Sequence, residues 1–182
     1  MNKIIGTIFI LLLLVIKVKA QVPNFPKEGD IIVNNSLNNF IGDWRWVSGN
    51  DTITIKLKKE RIFFQGFNFH CDFIIGYHKY INGNVIIESN IQHFYSSYTT
   101  GFASIFAEND RGASGNTLEG NIKDLSKGNK VHNIKMVFNA AITEMVFTIS
   151  HTEGMKYNEI PGMTLPNNIT FIKLPPPPPV AV

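Results

Sequence analysis

From Thr52 to Lys58 the chain reads Thr-Ile-Thr-Ile-Lys-Leu-Lys, and every step alternates between an apolar and a polar side chain. A period of two places Ile53, Ile55 and Leu57 on one face and Thr54, Lys56 and Lys58 on the other, as an extended strand does and a helix of 3.6 residues per turn does not. The segment reads as a half-buried strand. Ser48-Gly49-Asn50-Asp51, just before it, consists of residues that tolerate positive φ, so Gly42 to Val47 and Thr52 to Lys59 are expected to pair as a hairpin.

The same grammar recurs along the chain. Phe73 to Ile81 and Val85 to Asn90 flank Asn82-Gly83, the strongest short hairpin signal present. Further strands are expected at Ile62 to Phe64, Phe102 to Ala107, Thr117 to Leu125, Val131 to Phe138, Glu144 to His151 and Asn168 to Leu174, with turn-forming clusters between them. Ser36 is placed to cap one short helical turn carrying Leu37, Phe40 and Ile41 on a single side. Short strands at close spacing predict an all-β domain, either a closed antiparallel barrel or, alternatively, a β-sandwich.

The two ends read differently from the middle. Lys3, the apolar run Ile4 to Ile16 and the small residues around Ala20 have the order of a secretory signal, which is too short in its apolar part for a membrane span of roughly 20 residues. Residues 1–20 are therefore expected to be a cleaved signal peptide and the mature chain to be exported, to the periplasm or beyond, without a membrane span. Residues 21–174 then form one barrel domain, and residues 175–182, opening with five consecutive prolines, form an extended tail.

Removing residues 1–20 takes away Lys3, Lys17 and Lys19 and no acid, so the seventeen basic residues fall to fourteen against fourteen acidic ones. A formally neutral mature chain gives no support for nucleic acid as a partner. Cys71 is the single cysteine, so no internal disulfide forms and stability must come from the core.

Gly42-Asp43-Trp44 follows the helical turn directly, a glycine for a sharp bend and an indole to seal a barrel end. In this the chain resembles the lipocalin-like (calycin) barrels, which open on Gly-x-Trp after a short helix. That resemblance implies a plug in which Trp44 packs under a basic side chain of the last strand. The matching residue here is Lys173, where those barrels carry Arg, and their Thr-Asp-Tyr motif has no counterpart. Over a longer span, "IGDWRWVSGNDTITIKLKK", "IIGYHKYINGN" and "LPNNITFIKL" together look like a domain-of-unknown-function family of small exported proteins of Gram-negative bacteria. Membership implies an exported β-protein and brings no catalytic residues with it.

Constellations that carry chemistry are sparse. His70-Cys71-Asp72 has the residue types of a thiol site, but neighbours on a strand point to opposite faces, so the triplet is no triad. His70, His78, His93, His132 and His151 lack metal-ligand spacing, and neither Glu119 with Asp124 nor Glu144 with Glu153 is brought together by any pattern. No catalytic residue, metal or cofactor is assigned.

Two functional readings follow. The first is a non-catalytic barrel that binds a small apolar or amphipathic ligand inside, lined by Trp46, Ile53, Ile55, Leu57, Phe64, Phe73, Ile75 and Tyr77 and plugged by Gly42, Trp44 and Lys173. The second is a surface-interaction module with a solid core, in which Tyr95 and Tyr98 of "HFYSSYTTGF" meet an envelope protein or a glycan.

Overall fold

In the computed structural model, which describes residues 26–109, 115–150 and 162–176, the strands are β1 (Ile31–Ile32), β2 (Gly42–Ser48), β3 (Asp51–Phe64), β4 (Phe69–Asn82), β5 (Val85–Ser89), β6 (Ile105–Glu108), β7 (Thr117–Asp124), β8 (Lys130–Phe138), β9 (Glu144–Ser150) and β10 (Ile169–Lys173). Eight of them close an antiparallel barrel in the order β4-β3-β2-β10-β9-β8-β7-β6, sealed by β6 pairing back onto β4 at Ile74, Ile75 and Gly76. Barrel, not sandwich, is the architecture. The other two strands add to the same side of β4, β1 in parallel at Ile31↔His70 and β5 antiparallel beyond Lys79. The expected signal at 1–20 and most of the proline tail lie outside the described residues.

The β3/β4 hairpin is longer than the sequence pattern predicts. Instead of ending near Lys59 and restarting at Ile62, β3 runs unbroken to Phe64, and β4 begins at Phe69 and not Phe73, in continuous register from Asp51↔Asn82 to Phe64↔Phe69. The charged run Lys58 to Arg61 interrupts the alternation but contains no turn residue, and its charges find partners. Arg61 Nε donates to Asp72 Oδ1 at 2.8 Å, and Lys59 Nζ lies 3.7 Å from the same carboxylate. Asn68, in the left-handed region at φ 49, closes the turn at the hairpin tip.

The helical turn is a 3-10 helix, Asn35–Phe40, with Asn34 and not Ser36 at its N-cap; Leu37 and Phe40 are buried, while Ile41 turns outward. Its start is tied down by Asp72, which accepts from the Asn34 N–H at 3.1 Å, and by Asn34, Ser36 and Asn109 bonding one another.

Residues paired across β3 and β4 share a face. Ile55 lies opposite His78 and Leu57 opposite Gly76, so His78, Gly76 and Ile74 face the barrel interior while Tyr77, Ile75 and Phe73 face outward. The outer side of β4 is nevertheless buried, because residues 90–104 cross it. The chain thus has one core inside the barrel and a second on its outer wall.

Candidate functional site

Every barrel strand sends side chains into the inner core. Trp44, Ile53, Ile55, Leu57, Ile74, Ile105, Leu118, Ile122, Met136, Phe147 and Phe171 are all at most 1% exposed. A void wide enough for water would leave the residues bordering it accessible, so the interior is packed shut around these side chains. Of the eight residues expected to line a cavity, Ile53, Ile55 and Leu57 point inward into that packing, and Trp46 is half-buried against its edge. Phe64, Phe73, Ile75 and Tyr77 do not line the interior. They belong to the outer cluster, because the register that puts Ile55 opposite His78 gives Tyr77, one residue away, the opposite face.

The expected plug residues meet. Lys173 Nζ sits 5.2 Å from the Trp44 ring centroid and donates to the Asn39 carbonyl at 3.0 Å; Trp44 Nε1 donates to the Phe40 carbonyl at 3.2 Å. A cation over an indole contributes ~0.5–2 kcal/mol depending on desolvation. Burial holds the Lys173 ammonium below the ordinary lysine value. Gly42 takes φ +137, a backbone conformation that strains any L side chain, so the bend favours glycine; a Cβ there would also lie 3.1 Å from Lys173 Cε, which can give way.

The outer cluster is the more distinctive surface. Ile62, Phe73, Ile75, Tyr77 and Phe106 form its floor, and Ile91, Phe94, Tyr98 and Ala103 of the crossing segment cover it. Phe73 stacks on Phe106 at 4.5 Å, and Tyr98 packs on Phe106 at 5.3 Å. The crossing segment is pinned by polar contacts. The Ser96 carbonyl accepts from Lys58 Nζ and, at 3.1 Å, from Tyr77 Oη, while Glu60 Oε1 accepts the Tyr98 N–H at 2.6 Å. Burial, and then the Glu60 carboxylate, pushes the Tyr77 hydroxyl above the ordinary tyrosine value. Lys56 and Lys58 lie 5.5 and 5.8 Å from the Phe94 ring.

From this pinned segment Tyr95 projects with 95% of its surface exposed, its ring edge-on to Phe94 at 5.3 Å. The structure therefore separates the two candidate tyrosines: Tyr98 is half-buried in the cover, and Tyr95 stands free of it. Further along the β3/β4 hairpin, Phe67 at its tip is 74% exposed. Sequence reasoning missed Lys58, Glu60 and Phe94 because their spacing of two and about 35 residues has no signature; only the paired strands bring them together.

A buried polar chain was also missed. His78 Nε2 lies 2.8 Å from Glu88 Oε1 and His78 Nδ1 2.8 Å from Ser104 Oγ, while Glu88 Oε2 accepts the Ser126 N–H at 2.9 Å. Ser126 Oγ donates to Asp124, which also accepts the Thr164 N–H at 2.7 Å. Burial pushes the Asp124 carboxyl up, but hydrogen bonds from Thr164 and Ser126 outweigh it and hold the group below the ordinary carboxylate value. The order Ser104, His78, Glu88 matches that of a nucleophilic relay, yet His78 is 0% exposed and no substrate reaches it. Its work is structural, tying β5, β6 and the turn after β7 where β4 leaves β6.

The remaining candidates separate. Cys71 lies in the outer cluster, while His70 packs tilted against Phe63 at 4.8 Å on the other face. Glu119 pairs with Lys135 on the surface, and Asp124 is buried; Glu153 and His151 lie outside the described residues. Among the described residues no group of His, Cys, Asp and Glu is placed to hold a metal ion.

No curated protein and no solved structure matches the chain. A family of unknown function, DUF6705, matches residues 1–174, and the chain belongs to that family.

Proposed function

We propose that the protein is an exported, non-catalytic binding module with a solid barrel, which engages a partner protein of the cell envelope through the aromatic surface around Tyr95. The observation that carries the reading is the contrast between interior and exterior. The buried side chains of the inner core are at most 6% exposed, whereas Tyr95 is 95% exposed on a segment fixed by Lys58, Glu60 and Tyr77. Holding a tyrosine out on a rigid base lowers the ordering cost of binding, and tyrosine is among the side chains that dominate protein interfaces. Packing of Ile53, Ile55 and Leu57 against the other strands favours this over a small apolar ligand held inside.

The test is site-specific photocrosslinking in producing cells. A benzophenone side chain replaces Tyr95 in one strain and Lys135, an exposed position on β8, in another. A discrete protein adduct at 95 and none at 135 supports the reading. Equal labelling, or none at 95, overturns it, and a carbohydrate adduct at 95 moves the partner to a glycan.

A further inference from the structure

The barrel wall is not zipped along its whole height. β2 and β10 pair only at Arg45↔Ile172 and Lys173↔Trp44, although both strands continue for several residues beyond. The Leu174 N–H bonds to the Asp43 carbonyl, so Asp43, Arg45 and Val47 aim their main-chain groups at β10. Likewise Lys173 bonds to the Thr143 carbonyl on the β9 side, so Ile172 and Thr170 aim theirs at β2. Continuing the register would join Val47 to Thr170, but the pairing ends at Arg45↔Ile172. Between the two strands lies a groove of about 470 Å³ lined by Arg45, Trp46, Val47, Thr170, Ile172 and Leu174.

We infer that this unpaired stretch of the seam is an acceptor slot for an extended peptide segment of a partner protein, distinct from the Tyr95 surface. The register turns the main-chain groups of Val47 and of Thr170 toward each other across this seam, and the ligand that offers donors and acceptors to match them is another peptide backbone. The walls suit β-branched or apolar side chains: Val47 is 56% and Ile172 50% exposed, with the half-buried Trp46 beside them. Arg45 makes no ion pair among the described residues, so the bound segment carries a carboxylate on that side. Exposed apolar side chains beside unpaired main-chain groups form the edge that folded proteins ordinarily cover or blunt with charge.

The probe is a randomised heptapeptide display library selected on the full mature chain, with the best peptide synthesised and titrated while amide resonances are followed. Shifts centred on the Val47 and Thr170 amides, an acidic residue among the selected positions, and about tenfold weaker binding after Arg45→Glu are expected. N-methylating alternate residues of the peptide weakens binding in either phase, because one phase bonds to Val47 and the other to Thr170, a dependence that mere apolar contact lacks. Tyr95→Ala leaves this binding unchanged, so failure here is separable from failure at the aromatic surface. No selected peptide, shifts elsewhere, or indifference to N-methylation overturns the inference.

Discussion

Truncating Leu57 to alanine measures how solid the barrel is. Leu57 is 0% exposed and lies across from Gly76, close enough that a Cβ on that glycine would come within 2.8 Å of Leu57 Cδ2. The leucine thus fills the notch that the missing Cβ leaves. Removing three carbons forfeits about 2.4 kcal/mol of transfer free energy at ~0.8 kcal/mol per buried methylene. In a packed interior the new void adds about 24 cal/mol per Å³, which brings the total to about 3–5 kcal/mol. A side chain bordering an existing ligand cavity would lose about 2 kcal/mol or less, since part of its surroundings was empty already. Equilibrium urea unfolding of the chain at 25 °C reads the difference, with the slope unchanged as the check that only stability moved. A loss below about 2 kcal/mol at constant slope would refute the packed interior.

Other consequences follow from the same coordinates. Gly120→Ala places a Cβ 2.1 Å from the Phe106 carbonyl oxygen and 2.6 Å from Ala107 Cα, both main-chain atoms that cannot rotate away, so it destabilises by at least about 1–3 kcal/mol in the same urea assay. Burial pushes the Asp72 carboxyl up, but hydrogen bonds from Arg61 and the Asn34 N–H, with the charges of Arg61 and Lys59, hold it below the ordinary value. The unfolded chain then binds the extra proton first. Stability from this group is present above about pH 4 and is lost as pH falls through the lower folded value, so Asp72→Asn flattens the acid limb of the stability profile. Tyr95→Ala changes unfolding by no more than about 0.5 kcal/mol, whereas Tyr77→Phe, which takes one donor from the Ser96 carbonyl, costs about 1 kcal/mol in thermal or urea unfolding.

Much of the barrel was legible because its strands are built on alternation. Thr52 to Lys58, Val131 to Phe138 and Glu144 to Ser150 each face a packed core on one side and a more exposed, largely polar or solvated surface on the other, and the period of two reports that directly. The bend at Gly42 and the approach of Lys173 to Trp44 were legible, since a bend, an indole and a cation in fixed order carry their geometry with them.

What failed was β4. A strand covered on both faces reads as a continuous apolar run, so Phe73 to Tyr77 gave no sign of which side chains faced inward. Assigning Phe73, Ile75 and Tyr77 to the interior took the wrong phase, and a one-residue error exchanges every side chain between faces. The outer core itself was invisible because residues 90–104 cross the wall without regular structure of their own beyond two single turns. Likewise His78, Glu88 and Ser104 are 10 and 26 residues apart, and only the point where β4 leaves β6 for β5 brings them together.

Native mass spectrometry of the protein, purified without detergent and then incubated with lipid extract of the producing cells, tests the solid barrel most directly. The packed interior predicts the mass of the bare polypeptide before and after incubation. A non-covalent adduct of a single apolar molecule, lost on denaturation and retained in Tyr95→Ala, would contradict it and return the binding site to the inside of the barrel.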